Sequence, residues 1–351
     1  MNEFDLLSKL RAALAGSSDR VLVGSGDDAA VVSPAGTVSV TSVDAFVEGV
    51  HFRLTTTSLR DLGHKCLAAS LSDLAAMGAS GGEAYLTVGV PDHLGEHELL
   101  ELAAGAQALA TEHDVAIVGG DLTRADELFV AVTVVGYADG AKQLVTRRGA
   151  RPDHLVGVTG ALGGSGAGLL LLERKPSGID LGAAERLLER HLRPRPLLTA
   201  GRALARAGVS AMLDVSDGVA SDLERLCEQS DVSIEVQLDS LPIDEGVAEV
   251  AAVTGIDPLE LVAGAGEDYE LLFTASADMR GAVEQAGNES GSPVTWIGRV
   301  GDPGSRAAGG ATAKEEATPV RLLEGTGRPR RLAGWDHLRR GPEKKGLPGP
   351  A

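Results

Sequence analysis

The chain has 351 residues with an apolar content of 43%, which is enough for packed cores and predicts two domains of average size. Its formal net charge of −18 disfavours a nucleic acid or an anionic membrane as partner, because both would repel it. An anionic nucleotide is not excluded, since bound metal can reverse the charge locally. Aromatic residues make up only 3% and glycines number 46, so the cores must be built from small aliphatic residues at close backbone approach.

Hydrophobic periodicity and turn signals predict an α+β chain in which helices and strands are interleaved. The predicted elements are, in chain order, two strands within 20–50, a helix over 58–79, a strand over 84–90, a helix over 94–113, strands over 115–120 and 128–138, the run 155–160 with a glycine-rich turn into Leu169–Leu172, helices over 183–192 and 197–207, a strand over 209–213, a helix over 218–229, a strand over 233–243, a loop feeding a strand over 260–274, and a strand over 295–300.

The N-terminal MNEFDLLSKLRAAL favours an amphipathic helix over a signal peptide, because charged residues interrupt its leucines. The sequence has no apolar run of about 18 residues, so no membrane span is expected. Cys66 and Cys227 lie in apolar, helix-like stretches and are interpreted as small buried residues. We therefore expect a soluble cytoplasmic protein in a reducing compartment.

A composition shift indicates where the domains divide. Residues 139–154 are polar, basic and glycine-containing, which predicts a junction between an N-terminal domain at 1–140 and a C-terminal domain at 150–300. The remaining segment, 301–351, begins with a low-complexity stretch. Its part 301–333 lacks periodicity and predicts loop or disorder.

Seven aspartates stand at strand ends, in turns or in apolar helix surroundings, where an ionised carboxylate needs a cationic partner. They are Asp27, Asp28, Asp44, Asp73, Asp121, Asp214 and Asp217. Few Lys or Arg residues lie near these motifs, so a divalent metal is the simplest partner. Ligands that are all oxygens favour Mg²⁺ over zinc, and several Mg²⁺ ions indicate phosphate chemistry.

Each of the motifs in the first half has an ordinary structural alternative. GDDAA at 26–30 taken alone is typical of a tight β-turn. Asp73 would be a helix N-cap if the helix restarted there, although no turn residue precedes it. His51 follows Asp44 by seven residues, so a core histidine and a donor to phosphate oxygens both remain open.

The turn motifs of the second half differ in strength. The glycine-rich 160–168 lacks the lysine of a Walker loop, so a plain strand-to-helix turn is at least as good an interpretation as a phosphate cradle. DVSDG at 214–218 is stronger, because two carboxylates and a hydroxyl meet where a helix N-terminus can also face a phosphate. Arg147 lies in the junction and is either solvated or a contact for nucleotide phosphate. No Ser-His-Asp order, zinc spacing or dinucleotide fingerprint occurs, which disfavours triad hydrolases and dehydrogenases.

Nine motifs in this order resemble the thiamine-monophosphate kinase family: GDDAA, SVDAFVEGVHF, KCLAASLSDLAAMGA, VGGD, TRRGA, VTGALGGSGAGL, LDVSDG, GEDYELLF and GWDHL. The resemblance covers 3–300 and resumes with GWDHL at 334–338. It implies an α+β, two-domain fold of the aminoimidazole ribonucleotide synthetase type, with an N-terminal mixed sheet that dimerises and a C-terminal α/β sandwich. It also implies ATP- and Mg²⁺-dependent phosphorylation of thiamine monophosphate to thiamine diphosphate, the last step of thiamine diphosphate biosynthesis, by a homodimer.

The same resemblance implies roles for individual residues. The metal ligands would be Asp28, Ser42, Asp44, Asp73, Asp121, Asp214 and Asp217, with Asp27 as a near neighbour. The contacts to ATP would be Gly120, Asp121, Arg147 and Ser216. The contacts to the thiamine phosphate would be His51, Glu267 and Trp335, where an aromatic ring can stack on a cationic thiazolium.

Two residues depart from the family pattern. Val43 stands where a threonine is usual and offers only its backbone carbonyl, and Gly164 stands where the glycine loop usually has an aspartate. The expected chemistry needs no general base, because a phosphate monoester has a second pKa of about 6 and is already largely anionic. The transfer instead needs relief of charge repulsion between two polyanions.

Two other classes remain as alternatives. One is an ATP-dependent ligase or cyclising synthetase of the same superfamily. The sequence has no N-terminal Cys-Lys loop of the kind used in selenide chemistry and no cysteine-containing C-terminal tail, which disfavours two of its branches. The other is a catalytically silent nucleotide-binding protein, which the retention of all acidic positions disfavours.

Overall fold

The computed structural model describes residues 9–10, 12–14, 19–23, 31–303 and 318–332. A short antiparallel pair, β1 (Val21–Val23) and β2 (Val31–Val32), comes first. The first main sheet has four strands in the spatial order β3-β6-β4-β5. These are β3 (Val38–Val47), β4 (Ser80–Val90), β5 (Ala116–Arg124) and β6 (Phe129–Ala138). Pairing is antiparallel except between β4 and β5, which are parallel.

Two helices, α1 (Leu59–Ala76) and α2 (Glu96–Glu112), pack together in this half of the molecule. The Ser58 hydroxyl caps α1 by accepting a hydrogen bond from the Asp61 N–H at 3.1 Å. The two helices touch along small residues, since a Cβ on Gly105 would lie 1.8 Å from the Arg60 carbonyl oxygen. The expectation of close backbone approach in a core with few aromatics is thereby confirmed.

The second sheet has seven strands in the spatial order β13-β12-β9-β11-β7-β10-β8. Their bounds are Leu155–Thr159 (β7), Ala211–Asp214 (β8), Ser233–Gln237 (β9), Leu271–Ala275 (β10), Val294–Gly301 (β11), Val320–Leu323 (β12) and Pro329–Arg330 (β13). Only the β9–β12 pair among these neighbours is parallel. The sheet is thus built from strands distant in sequence, which brings the ends of β8 and β10 side by side.

Six helices accompany this sheet in the described part of the second half. They are Gly164–Arg174 (α3), Leu181–Leu192 (α4), Leu198–Ala207 (α5), Val219–Ser230 (α6), Val247–Thr254 (α7) and Arg280–Glu289 (α8), with a π-helical turn at Glu260–Gly264. Helix α5 packs against α1 and contributes Leu198, Ala200 and Leu204 to the core of the first half. The two halves therefore share one continuous interface along α1.

The predicted α+β class with mixed sheets is confirmed, and helices 58–79, 94–113, 183–192, 197–207 and 218–229 all occur within a few residues of the predicted bounds. Helices α7 and α8 were not predicted. The strand expected over 233–243 ends at Gln237, where a 3₁₀ turn begins.

The expectation of loop or disorder over 301–333 is wrong for the two short strands β12 and β13. The run Val320–Leu323 forms β12 and pairs with β9 in register Val320↔Ile234. The reason is a short apolar sequence inside a polar stretch, since Val320, Leu322 and Leu323 are all buried.

Two further expectations concern the cysteines and the membrane. Cys66 and Cys227 are buried free thiols, as predicted. Across the residues the structure describes, we find no helix with the length and apolar content that crossing a membrane requires.

Candidate active site

A cavity of about 300 Å³ lies where α1 and β3 of the first half meet the turns before α6 and β10 of the second half. Its lining consists of Asp44, Ala45, Phe46, His51, Ala69, Asp73, Arg147, Asp214, Ser216, Asp217, Arg225, Glu267 and Tyr269. Eight of these are residues to which the family resemblance gives a role with metal, ATP or substrate. With five carboxylates and two arginines, the lining is strongly acidic.

Three aspartates from three separate elements face one another in this cavity. Asp44 comes from β3, Asp73 from the last turn of α1, and Asp214 from the end of β8. Burial, together with the negative charge of Asp73, raises the pKa of Asp44 to about 6. The same two causes raise the pKa of Asp214 to about 7. The Arg147 charge acts on Asp214 in the opposite direction but does not cancel these two effects.

Asp73 lies inside a continuous helix, so the alternative in which it caps a restarted helix is wrong. Its carboxylate accepts a hydrogen bond from the Ser42 hydroxyl of β3. The next residue back, Ser72, donates to Asp214 across the interface at 2.7 Å. Asp73 and Ser72, which are adjacent near the end of α1, thus connect α1 with β3 on one side and with β8 on the other. Ser42 contacts the group of three aspartates through its hydrogen bond to Asp73.

Asp217 and Ser216 are held by a buried carboxylate that was not singled out in the sequence. Asp222 of α6 is fully buried and accepts hydrogen bonds from the backbone N–H groups of both residues, each at 3.1 Å. Arg225, one turn further along α6, pairs with Asp217 and with Asp222. The amides of Ser216 and Asp217 are therefore occupied by the protein's own carboxylate.

Replacing Asp222 by asparagine is expected to destabilise the protein by about 2–4 kcal/mol, because one carboxylate oxygen becomes an NH₂ group facing an arginine or two N–H donors. Urea unfolding of the variant measures this loss. Asp231→Asn, at the C-terminal cap of the same helix with a φ of 52°, is the control and should change stability by less than about 0.5 kcal/mol. Equal stabilities for the two variants would contradict the role given to Asp222.

Glu267 and Tyr269 enter the cavity from a strained loop. Both have positive φ, 65° and 50°, which non-glycine residues adopt rarely and mostly at functional sites. Their N–H groups donate to the carbonyls of Ser216 and Val215 at 2.8 and 2.9 Å. Gly266 permits this close approach, because a Cβ there would lie 2.1 Å from the Ser216 oxygen. The loop is thereby fixed against the DVSDG turn.

His51 lines the cavity next to Phe46, with their rings in an edge-to-face arrangement. Its Nδ1 accepts a hydrogen bond from the Val47 N–H at 3.0 Å, which places the proton of the neutral ring on Nε2. His51 is therefore a cavity residue with a donor, and the alternative of a core histidine is not supported.

The glycine-rich turn at 160–168 does not present its amides to a ligand. The N–H groups of Gly163 and Ser165 donate to the buried Asp268 carboxylate at 2.7 and 3.1 Å. Beside Gly164 the space for a side chain is filled, since a Cβ there would lie 2.6 Å from the Asp244 carboxylate, which pairs with Arg190. The interpretation as a plain strand-to-helix turn is favoured, and the Asp244 carboxylate lies directly against Gly164.

Gly120 and Asp121 are not brought to this cavity. Strand β5 continues beyond them to Arg124, and the Asp121 side chain is exposed, so the expectation of an apolar setting for this aspartate is wrong. Asp27, Asp28 and Trp335 lie outside the described residues. A separate cavity of about 490 Å³ between β4, β6 and α5 contains none of the predicted site residues.

The donor set fits Mg²⁺. Every candidate ligand is an oxygen, and desolvated carboxylates that face one another are relieved by a divalent cation. Within the described ranges no three His, Cys, Asp or Glu side chains are grouped as a complete metal site would need. Proteins usually hold Mg²⁺ through one or two carboxylates, with substrate phosphates and water completing the octahedron.

Comparison with known proteins identifies the fold class first. The chain matches the models for the AIR synthase related protein N-terminal domain over residues 26–138 and C-terminal domain over residues 151–309. A thiamine-monophosphate kinase from Rhodopirellula baltica is 36% identical over 291 residues, which are 80% of this chain and 84% of the relative.

Two solved structures agree with these matches. The crystal structure of thiamine-monophosphate kinase from Stenotrophomonas maltophilia K279a has a TM-score of 0.76 at 37% identity, covering 86% of this chain and 95% of that one. AaThiL complexed with AMPPCP and TMP has a TM-score of 0.72 at 27% identity, covering 96% and 97%. The chain belongs to the thiamine-monophosphate kinase family, within the AIR synthase related proteins.

Proposed function

We propose that this chain transfers the γ-phosphoryl group of ATP to thiamine monophosphate, giving thiamine diphosphate and ADP. Family membership supports the reaction, and a relative of the same fold has been solved with AMPPCP and TMP. The observation in this chain that carries the proposal is the acidic cavity, where Asp44, Asp73 and Asp214 converge from both halves. Such a cavity is suited to collecting cations around phosphates.

The chemistry follows from the charges. A phosphate oxygen of thiamine monophosphate attacks the γ-phosphorus in line, and the bond from that phosphorus to the β,γ-bridging oxygen breaks. The attacking oxygen is already largely anionic, so none of the carboxylates needs to accept a proton. Mg²⁺ bound to the carboxylates would neutralise the approaching phosphates.

The protein's own residues would bind and orient the metal ions, ATP and the acceptor. We propose that Asp28, Ser42, Asp44, Asp73, Asp121, Asp214 and Asp217, with Asp27 beside them, hold the metal ions. Gly120, Asp121, Arg147 and Ser216 would contact ATP. His51, Glu267 and Trp335 would contact the thiamine phosphate, with the Nε2–H of His51 donating to phosphate oxygen and Trp335 stacking on the thiazolium.

The decisive test is ADP release by the purified chain with ATP, Mg²⁺ and one acceptor at a time. Thiamine monophosphate alone should stimulate release, and mass spectrometry should find thiamine diphosphate in equal amount. Stimulation by an aminoimidazole precursor or by selenide would favour the synthetase alternative. Calorimetry that showed ATP binding without Mg²⁺ dependence or turnover would favour the silent nucleotide-binding protein.

We also propose a homodimer formed through the outer face of the first sheet. On the face opposite the helices, the central strands present the uncharged Tyr85, Thr87, Ala131 and Thr133, and Glu83 at one end is paired with Arg20. Val43 is 63% exposed on this face, directly opposite Thr133 in the β3–β6 register. Light scattering should give twice the chain mass of 35.9 kDa for the wild type and a single chain mass for Thr133→Lys, because the lysine would be buried unpaired in the interface. A wild-type monomer at micromolar concentration would contradict the proposal.

We further propose a division of the chain into domains and a cellular location. The division into 1–140, 150–300 and 301–351 is supported by the separate sheets built from residues 38–138 and 155–330. A cytoplasmic location is supported by the two buried, reduced cysteines.

A further inference from the structure

A lysine is buried between the two halves of the molecule, behind the cavity. Lys65 of α1 is only 2% exposed. Its ammonium lies 3.0 Å from Glu267 Oε2 and 3.3 Å from His191 Nε2, both of which belong to the second half. Burying an ammonium is costly unless its partners are well placed, so this arrangement needs a reason beyond filling space.

The histidine fixes the lysine from the other side. Burial and the neighbouring Lys65 charge lower the pKa of His191 well below its usual value, so the ring is neutral. Its Nε2 faces an ammonium and therefore accepts a hydrogen bond, which leaves the proton on Nδ1 for the Ser165 hydroxyl at 3.1 Å. Ser165 lies at the start of α3, so the cluster is anchored to a rigid helix.

Glu267 is the member of this cluster that reaches the cavity. Its backbone is held at positive φ and donates to the Ser216 carbonyl, and the residue is 7% exposed. Lys65 contacts Oε2, and within the described part of the chain we find no hydrogen bond to Oε1. One oxygen is therefore fixed by the protein and the other is left for a ligand.

We infer that Lys65 is a positioning residue for the acceptor, acting through Glu267 and held in place by His191. This inference rests on the proposed function, in which Glu267 contacts thiamine monophosphate. Lys65 holds the carboxylate through Oε2 and turns it so that Oε1 accepts from the amino group or faces the cationic ring of the acceptor. Because Lys65 comes from the first half and Glu267 from the second, acceptor binding depends on correct docking of the two halves.

A purely structural ion pair across the same interface offers a matched control. Arg193, at the end of α4, pairs with Asp61, one turn before Lys65 on α1. This pair joins the same two helices but lines no part of the cavity. Arg193→Gln therefore removes an interface contact and leaves Glu267 untouched.

The test compares steady-state kinetics of Lys65→Met, Glu267→Gln, the double variant and Arg193→Gln. Lys65→Met should raise KM for thiamine monophosphate about tenfold or more, with KM for ATP within about twofold of the wild type. In the Glu267→Gln background the same lysine change should have no further effect on that KM. Arg193→Gln should leave both KM values unchanged, even if its melting temperature falls.

The double variant also guards against misfolding, because it removes both charges and leaves no unpaired carboxylate. Should Lys65→Met not fold, equal KM values for the double variant and Glu267→Gln support the inference. An unchanged KM in Lys65→Met, or losses that simply add in the double variant, would overturn it. A wild-type chain that does not turn over thiamine monophosphate would instead refute the proposed function.

Discussion

Asp44→Asn is expected to lower kcat by at least about 100-fold while leaving the protein folded. Asp44 is one of three aspartates that face one another in the cavity, and asparagine keeps its shape but removes the charge that would hold Mg²⁺. The Mg²⁺ concentration that gives half-maximal rate should rise. ADP release measured across a Mg²⁺ series gives both quantities.

The control is Asp126→Asn, because Asp126 is an exposed residue between β5 and β6 and changes the net charge equally. It should retain wild-type kcat and Mg²⁺ dependence. A pH series distinguishes a metal ligand from a general base, because the deficit of Asp44→Asn should persist at every pH if no residue accepts a proton. Near-normal turnover with unchanged Mg²⁺ dependence would remove Asp44 from the metal site.

Much of the cavity could be predicted because its aspartates stand out against apolar surroundings. Asp73 occurs among small apolar residues of one helix, and Asp44 and Asp214 lie on strands that are otherwise apolar or small. Few Lys or Arg residues are close in sequence to these aspartates, so a bound cation is the partner that the sequence predicts. The structure brings these three together from segments up to 170 positions apart, as that argument requires.

The supporting residues could not be found in this way. Asp222 and Arg225 lie in VASDLERLCEQS, where charged residues at these spacings are typical of a solvated helix face. The hydrophobic periodicity of α1 alone does not show whether the Lys65 side chain is buried or exposed. Their roles depend on contacts between distant segments, such as Lys65 with Glu267, for which the sequence offers no local signal.

Asp121 is a residue that the sequence predicts for the site but that the structure does not bring to the cavity. The apolar run before it predicts a strand that ends at Gly120, which would place Asp121 at the strand end. Strand β5 instead pairs in parallel with β4 as far as Arg124, with Asp121 opposite Thr87, and the Asp121 side chain is exposed. Its proposed contact with metal and ATP therefore depends on the resemblance alone.

In metal-free buffer, the contribution of Asp44 and Asp214 to the free energy of unfolding is expected to fall as the pH rises from about 4 to about 7.5. Asp44 and Asp214 have pKa values of about 6 and about 7 in the folded protein, above the 3.8 of the unfolded chain. Over this range these two residues bind more protons in the folded state than in the unfolded state, so their contribution to the slope of stability against pH is negative. Each unit of pKa difference corresponds to about 1.4 kcal/mol, so the loss is large enough to measure by chemical unfolding.

Mg²⁺ should reverse much of this loss, because the ion replaces the protons that the carboxylates release. Chemical unfolding with EDTA or with Mg²⁺ at pH 5 and pH 7.5 tests this, and the stabilisation by Mg²⁺ should be larger at pH 7.5. Asp44→Asn isolates the contribution of this cluster from the other titrating groups. In EDTA at pH 7.5 the Asp44→Asn variant should be more stable than the wild type, although it is the less active protein. The reason is that the Asp44 carboxylate repels the neighbouring carboxylates when no Mg²⁺ is bound. A variant less stable than the wild type under these conditions would mean that Asp44 is satisfied within the protein and does not await a cation.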